Sequence, residues 1–329
     1  MNPAIRPRLI ALLAAIAAQV VPAAQAQTAY PSQPVRMIVT TVAGGGLDNF
    51  ARMLARELSA RAGQQFIVDN RAGAGTTIGS AAAAKAKPDG YTILANTAAL
   101  AISPAIYQKL PYDTLADLAP ITLAAATPNM LVAHPSVPAK NVKDVVALAR
   151  ARAAKGDPLL YASGGNGTNG HMAMALFISV TQARMTHVPY KSGAPALIDV
   201  VSGQVPLMID SISSVIAQVN AGKLRALGIS GTQRSPTAPA VPTFAESGVS
   251  GAESAQWYGV LAPAGTPPDI LAWLYRESIA ALRTQSLKDR LAAEGLEVIA
   301  STPEEFAATI RADIAKWTKV VKTIDLPPL

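Results

Sequence analysis

Twice near its start the chain passes from a short apolar strand through a glycine turn into a helix, and a third strand follows. This repeat restricts the fold more than any other feature. Val35 to Val42 reads as a buried strand, Gly44-Gly45-Gly46 as its turn, and the stretch from Asp48 as an amphipathic helix with Phe50, Met53, Leu54 and Leu58 on one face. Gln65 to Asp69 reads as the second strand. Asn70-Arg71-Ala72-Gly73-Ala74-Gly75-Thr76 turns into an alanine-rich helix ending near Ala86, with Thr76 or Thr77 as its N-cap. After the Pro88-Asp89-Gly90 turn, Tyr91 to Asn96 forms a third strand closing on Asn96-Thr97. Alternation of this kind predicts a parallel α/β sheet, and ligands of such sheets bind beyond the carboxyl ends of the strands.

The middle of the chain repeats the plan. Met130 to Ala133 is a strand, Val142 to Ala154 a helix, and Leu159 to Ala162 a strand. Next come Ser163-Gly164-Gly165-Asn166-Gly167-Thr168-Asn169-Gly170-His171 and a helix from Met172 to Val180. Strands at Met185–Tyr190, Val205–Asp210 and Leu224–Ile229 complete this set, and Ser230 to Val241 is a long loop. Ser254 to Leu261 is extended. The chain is helical from Asp269, with Thr302 as N-cap and Pro303 at the first position of the last helix. Two α/β sets, each with a glycine turn, predict two lobes facing one cleft.

A strand that turns through glycines into a helix leaves backbone N–H groups pointing at one spot, where the helix dipole favours an anion. Each glycine turn here either simply joins strand to helix or cradles an anion. The first is not the dinucleotide fingerprint G-x-G-x-x-G, because Asn49 stands where the third glycine would fall. Hydrogen bonds to a charged carboxylate contribute about 1.5–3 kcal/mol each, so a few backbone donors suffice without an arginine.

Arg6 and Arg8, an apolar run from Leu9 to Val21, and Ala24-Gln25-Ala26 have the layout of a cleaved secretory signal over residues 1–26. The mature protein is then expected in a periplasm. The chain has no cysteine, which removes disulfides and lipid attachment at a cleavage-site cysteine. The formal net charge of +7 falls to +5 without Arg6 and Arg8, and it is dispersed instead of forming basic runs, which argues against nucleic-acid binding.

Catalysis finds little support. Ser163 lies in Ala-Ser-Gly-Gly-Asn, not in a G-x-S-x-G elbow. None of His134, His171 and His187 has an acid partner by spacing, and the lack of cysteine and of a His-x-x-x-His pair argues against zinc. No cofactor or metal is expected. His171 is expected to brace its loop, Trp257 to lie at a hinge or in the core, and Asp48 to accept backbone N–H groups at its own helix start.

Taken in order, several motifs resemble one family. They are Gly44-Gly45-Gly46-Leu47-Asp48 with Ala51-Arg52; Val68-Asp69-Asn70-Arg71-Ala72-Gly73-Ala74-Gly75; and Pro88-Asp89-Gly90-Tyr91-Thr92. They continue with Ser163-Gly164 to His171, Val188-Pro189-Tyr190-Lys191, Ala194-Pro195-Ala196-Leu197, Gly222-Lys223-Leu224-Arg225 and Trp257-Tyr258-Gly259. From Tyr30 to about Ile324 the chain resembles the extracytoplasmic solute-binding proteins of tripartite tricarboxylate transporters, the Bug family. The resemblance implies a type II periplasmic-binding fold, a monomer of two α/β lobes closing on a hinge. Lobe 1 would comprise residues 30–127 and 256–329, and lobe 2 residues 128–255. The implied ligand is a di- or tricarboxylate, an acidic amino acid or an aromatic acid, delivered to integral membrane partners. A sensory co-receptor presenting its ligand to a sensor kinase is the alternative, and a periplasmic hydrolase a more distant one.

Carried over by position, the ligand would meet Ala43, Gly44, Gly45, Gly46, Asp48 and Asn49, then Gly73, Ala74, Gly75 and Thr76, then Asn96 and Thr97. Lobe 2 would offer Ser163, Gly164, Asn166, Gly167, Thr168, Asn169 and His171, then Tyr190, Lys191 and Ser192, and finally Asp210 and Ser211. The chain departs from the family pattern near this set. Ala43 replaces a proline, Thr76 a glycine and Ala175 a glutamate, and Lys191-Ser192-Gly193 reverses the usual last pair. These changes bear on the identity of the ligand more than on the fold.

Overall fold

Hydrogen bonding joins β1 (Val35–Val39) in parallel to β2 (Phe66–Asn70) on one side and β3 (Thr92–Thr97) on the other. The computed structural model describes residues 30–323, so the stretch read as an export signal lies outside the described residues. Helix α1 (Gly46–Ala62) follows β1, and α2 (Thr77–Ala84) follows β2 after a single 3-10 turn at Ala74–Thr76. Phe50, Leu54 and Leu58 of α1 are wholly buried, each contributing about 1.5–3 kcal/mol. Gly63, in the left-handed region at φ 66°, ends α1 by donating its N–H to Ser59 O.

Beyond β3 the sheet becomes antiparallel. β3 pairs with β9 (Ala255–Pro263), and β9 pairs with β4 (Leu118–Ala133). The sequence predicts a strand only from Met130, but β4 begins at Leu118. Pro120 and Pro128 conceal it, since proline removes a ladder donor. The β4–β9 register shifts between Pro120 and Thr122 and again between Leu123 and Ala125.

β4 then enters a second sheet. Asn129 to Ala133 pairs with β7 (Leu207–Ser211), and Met130 to Ala133 with β8 (Arg225–Ile229), both antiparallel. β5 (Leu159–Ser163) runs parallel to β7 and to β6 (Met185–Pro189). The continuous order is β2-β1-β3-β9-β4-β7-β5-β6, with β8 and β10 (Glu297–Val298) also pairing with β4. Two strands, β4 and β9, thus connect the parallel units.

The second sheet carries α4 (Val142–Ala154), α5 (Asn169–Thr181), α6 (Gly193–Val201) and α7 (Ile212–Asn220). Asn141 caps α4 by accepting the Asp144 N–H. At the other end of the chain are α8 (Pro268–Leu282), α9 (Gln285–Ala293) and α10 (Pro303–Thr323). As expected, Thr302 starts α10: Thr302 N donates to Glu305 Oε2 and Glu305 N to Thr302 Oγ1, a reciprocal capping box.

Ile38, Leu94, Trp257, Leu261 and Phe306 belong to one core of the first sheet. Trp257 is buried there, edge-on to Phe306, and its Nε1 donates to Asp313. The second sheet is packed on both faces, around Phe177 and Phe244 on one side and Met208 and Ile212 on the other. A helix unread from the sequence, α3 (Ala99–Ile106), carries Ile102 and Ile106 into a further cluster with Met172 and Leu176 of α5 and Trp317 of α10. Pro104 inside α3 masks its helical signal.

Candidate ligand-binding site

The register of β1 with its neighbours places Val39 opposite both Asn70 and Ala95, so the turns after β1, β2 and β3 share one edge. A buried relay of side chains holds them. Thr40 Oγ1 donates to Asn96 Oδ1, Asn96 Nδ2 to Ser80 Oγ, and Ser80 Oγ to Thr76 O, all within 2.9 Å. Asn96 Oδ1 also accepts the Thr97 N–H, and Thr97 Oγ1 accepts the N–H of Ala99 as α3 starts. Asn96 and Thr97 are therefore committed to supporting this edge.

Asp48, 2% exposed, accepts bonds from Gly44 N and Arg52 Nε at one oxygen and from Asn70 Nδ2 at the other. Burial works against its ionisation, but these donors hold its carboxyl below the ordinary range. The expected backbone bond is present, with Arg52 and Asn70 added. Gly45, the N-cap of α1, supplies no side chain to that helix end. Ala43, Gly44 and Gly46 are exposed in the turn.

The second turn is built in the left-handed region: φ is 131° at Gly73, 45° at Ala74, 58° at Gly75 and 82° at Thr76. The predicted cap is not made. Thr76 stands at the N-cap position of α2, but its hydroxyl accepts no bond from that helix, because an N-cap needs the extended backbone that Thr76 lacks. The Oγ1 atoms of Thr76 and Thr41 are buried without a hydrogen-bond partner, whereas Thr77 faces the buried Tyr112 hydroxyl.

Tyr258, opposite Thr97 in the β3–β9 register, adds a residue that sequence reasoning missed. A Cβ on Gly46 would lie 2.5 Å from its hydroxyl. Burial pushes the Tyr258 phenol up, and the neighbouring charges of Asp210 and Glu294 act in the same direction. Glu294 is itself raised by burial, partly offset by a hydrogen bond with Asn49. Tyr258 therefore links the first turn to groups drawn from β7 and from the end of α9.

In the second sheet the glycines serve close approach. A Cβ on Gly164 would lie 2.9 Å from Gly193 N, on Gly165 2.8 Å from Tyr190 O, and on Gly170 2.5 Å from Ile209 O. A Cβ on Gly167, at φ 74°, would meet Ile106 of α3. The turn thus packs tightly on its neighbours. Asp210 sits beside the starts of α5 and α6: a Cβ on Gly193 would lie 3.3 Å from its Oδ2, and one on Gly170 3.8 Å from its Cγ. Desolvation raises its carboxyl to about 6, against the pull of the Ser211 N–H.

Several expected side chains have other work. Tyr190 donates its hydroxyl to Asp199 Oδ2, Thr168 Oγ1 donates to Gly165 O, and Ser211 Oγ shares a bond with Ser214 Oγ. Asn166, Lys191 and Ser192 are exposed. Asn169 Nδ2 donates to Asn129 Oδ1, while Asn169 Oδ1 is buried without a partner. Asn129 Nδ2 in turn donates to Ser254 Oγ, tying α5 to the points where β4 and β9 meet. As expected, His171 braces its loop, with Nδ1 accepting the Gly167 N–H.

Ser163 Oγ and His187 Nε2 lie 2.7 Å apart, a pairing that spacing did not reveal. His187 stacks between Tyr161 and His171, with ring centroids at 4.9 and 4.1 Å. Burial lowers the His187 imidazole to about 4 and that of His171 to about 3, so both are neutral at pH 7. Among the described residues no carboxylate bonds to His187, and Ser163 is 1% exposed. A cavity of about 680 Å³ beside Tyr161, His171 and His187 reaches neither of the first two glycine turns. Among the described residues no three His, Asp or Glu side chains are grouped to hold a metal.

The chain is similar to known proteins over most of its length. The sequence profile of the tripartite tricarboxylate transporter family receptor matches residues 50–326. Protein BugT of Bordetella pertussis is 36% identical over 295 residues, covering 89% of this chain and 90% of that protein. R. palustris Rpa4515, solved with adipate, superposes with a TM-score of 0.81 at 35% identity, covering 91% of this chain and 100% of the other. MatC from Rhodopseudomonas palustris, solved with bound malate, gives a TM-score of 0.78 at 30% identity, covering 89% and 100%. A two-lobed α/β fold, shared with solved binding proteins and joined to a family match over most of the chain, makes this protein a member of the tripartite tricarboxylate transporter receptor family, whose members are solute-binding receptors and not enzymes.

Proposed function

We propose that this protein captures a small carboxylate between its two lobes in the periplasm and delivers it to the membrane components of a tripartite transporter. One contrast between the lobes carries this reading. At the first glycine turn its own acid, Asp48, is neutralised by Arg52 and turned back onto Gly44 and Asn70, and burial raises the carboxyl of the neighbouring Glu294, which bonds to Asn49. The start of α1 is left without a side-chain cap, and it keeps its attraction for an anion. At the glycine turn of the second sheet, residues 163–171, Asp210 already stands beside the starts of α5 and α6. A ligand carboxylate therefore belongs against the residue 43–49 and 73–76 turns, with the far end of the ligand toward Tyr258 and Asp210.

Adipate and malate, held by two solved relatives, are the first acids to test. A thermal-shift screen would add tricarboxylates, acidic amino acids and aromatic acids. An acid present at about 100 times its Kd stabilises the protein by about 2.7 kcal/mol. A shift with one acid class, weakened by a bulky residue at Gly45, is the expected result. Folded, ligand-free protein that shifts with no carboxylate would overturn the reading. Deletion of the gene with unchanged uptake of the identified acid would overturn the transport role.

A further inference from the structure

Tyr161, His187 and His171 stack as three rings drawn from β5, β6 and α5. All three line the cavity of about 680 Å³ described above. The cavity follows β6, the last strand of the second sheet, and one face of α5, where Ala175, Ile178 and Gln182 succeed His171 at helical spacing. Of the residues carried over from the family, only His171 touches it. It is therefore a separate place from the glycine turns.

The polar atoms of its floor are unused. Tyr161 is 4% exposed, and its hydroxyl makes no hydrogen bond among the described residues, although a buried phenol usually finds a partner. His171 is 2% exposed, and its Nδ1 accepts the Gly167 N–H. The neutral ring then carries its proton on Nε2, which has no partner among the described residues. Neither atom is sealed in the core, so both open onto the cavity that their residues line. Two buried groups thus offer a hydrogen to one space and find no acceptor there.

The charge of the lining has one sign. No Asp or Glu lines the cavity, and Asp157, beside the lining residue Pro158, is paired with Arg152. Arg184 is exposed in the lining and has no ion pair or hydrogen bond among the described residues. Arg150 already answers the carbonyls at the end of α5 by donating to Thr181 O, which leaves Arg184 over. We propose that this cavity is a second binding site, apart from the cleft, for a small organic anion with an apolar body. Ligand oxygens accept from Tyr161 Oη and His171 Nε2, Arg184 pairs with the charge, and Pro158, Ile178 and Met185 pack against the apolar part. The inference does not depend on the carboxylate reading of the cleft.

The chain has three histidines, so the ring signals of His134, His171 and His187 can be followed singly by NMR. Benzoate is the probe, with benzyl alcohol as its uncharged counterpart. Benzoate should move the His171 and His187 signals and leave that of His134, which lies outside the cavity. Arg184→Ala, a change at an exposed residue, and Tyr161→Phe should each weaken this response about tenfold. Gly45→Leu obstructs the first glycine turn and should leave the response intact. A response lost in Gly45→Leu but unchanged in Arg184→Ala would put benzoate in the cleft and overturn the proposal. An equal response to benzyl alcohol would overturn the anionic class, and no movement of either ring signal with benzoate would overturn the site. Failure of every carboxylate at the glycine turns would overturn the cleft reading and leave this one standing.

Discussion

The hydroxyl of Tyr258 stands 2.5 Å from the point a Cβ on Gly46 would occupy, so strand β9 and the first glycine turn are fitted without room for a methyl group. Gly46→Ala should cost about 1–3 kcal/mol by overpacking. The next nearest Tyr258 atom, Cζ, is 3.7 Å from the same point, an ordinary contact. In a Tyr258→Phe background the alanine should therefore cost much less. A double-mutant cycle by urea denaturation tests this, and strictly additive effects would refute the steric account.

Trp317 is 1% exposed in the cluster that joins α3, α5 and α10. Trp317→Ala should destabilise by about 3–5 kcal/mol. Its indole Nε1 is buried without a partner, so Trp317→Phe sheds an unsatisfied donor and should cost far less than alanine. Urea midpoints of the two variants decide; equal losses would show that the indole nitrogen is satisfied.

Asp210 gives stability a dependence on pH. Burial raises its carboxyl from 3.8 to about 6, so between those values the folded protein holds the proton more tightly than the unfolded chain. Wild-type stability from this group is present below pH 3.8 and is lost as pH rises through about 6. Asp210→Asn has no proton to lose and should gain on wild type as pH rises across that window. Melting temperatures of both proteins on either side of it provide the check, and a pH-independent difference would show that Asp210 is well solvated.

Asn129 accepts from Asn169 and donates to Ser254, and its backbone N–H donates to Ser230 Oγ. Asn129→Ala leaves the buried Asn169 amide with no partner at either end and should cost about 1–3 kcal/mol. Once Asn129 is gone, Asn169→Ala should cost little more. Independent losses from the two variants would disprove the coupling.

Much of the local structure could be read from residue order. Apolar periodicity located β1, β2 and α1, and the Thr302-Pro303 pair located the start of α10. Prolines defeated the same approach at β4 and α3, where strand bulges and tertiary packing outweigh local propensity. The glycines from Gly164 to Gly170 carried an ambiguous signal. Their spacing suits an anion cradle, but three-dimensional contacts with Gly193, Tyr190 and Ile209 demand glycine for backbone approach as well. Thr76 misled for a related reason: its residue type favours an N-cap, whereas its φ forbids one.

By itself the sequence determined the alternation of strands and helices, the family motifs and the glycine turns, because each depends on residues close together in the chain. The tertiary structure decided how distant residues meet: Tyr258 with Gly46, Asp210 with the starts of α5 and α6, and Ser163 with His187. Those pairings depend on strand order and register. The order is set when β4, paired along β9 in the first sheet, runs on into the second and cores are buried on each side, and no local spacing encodes it.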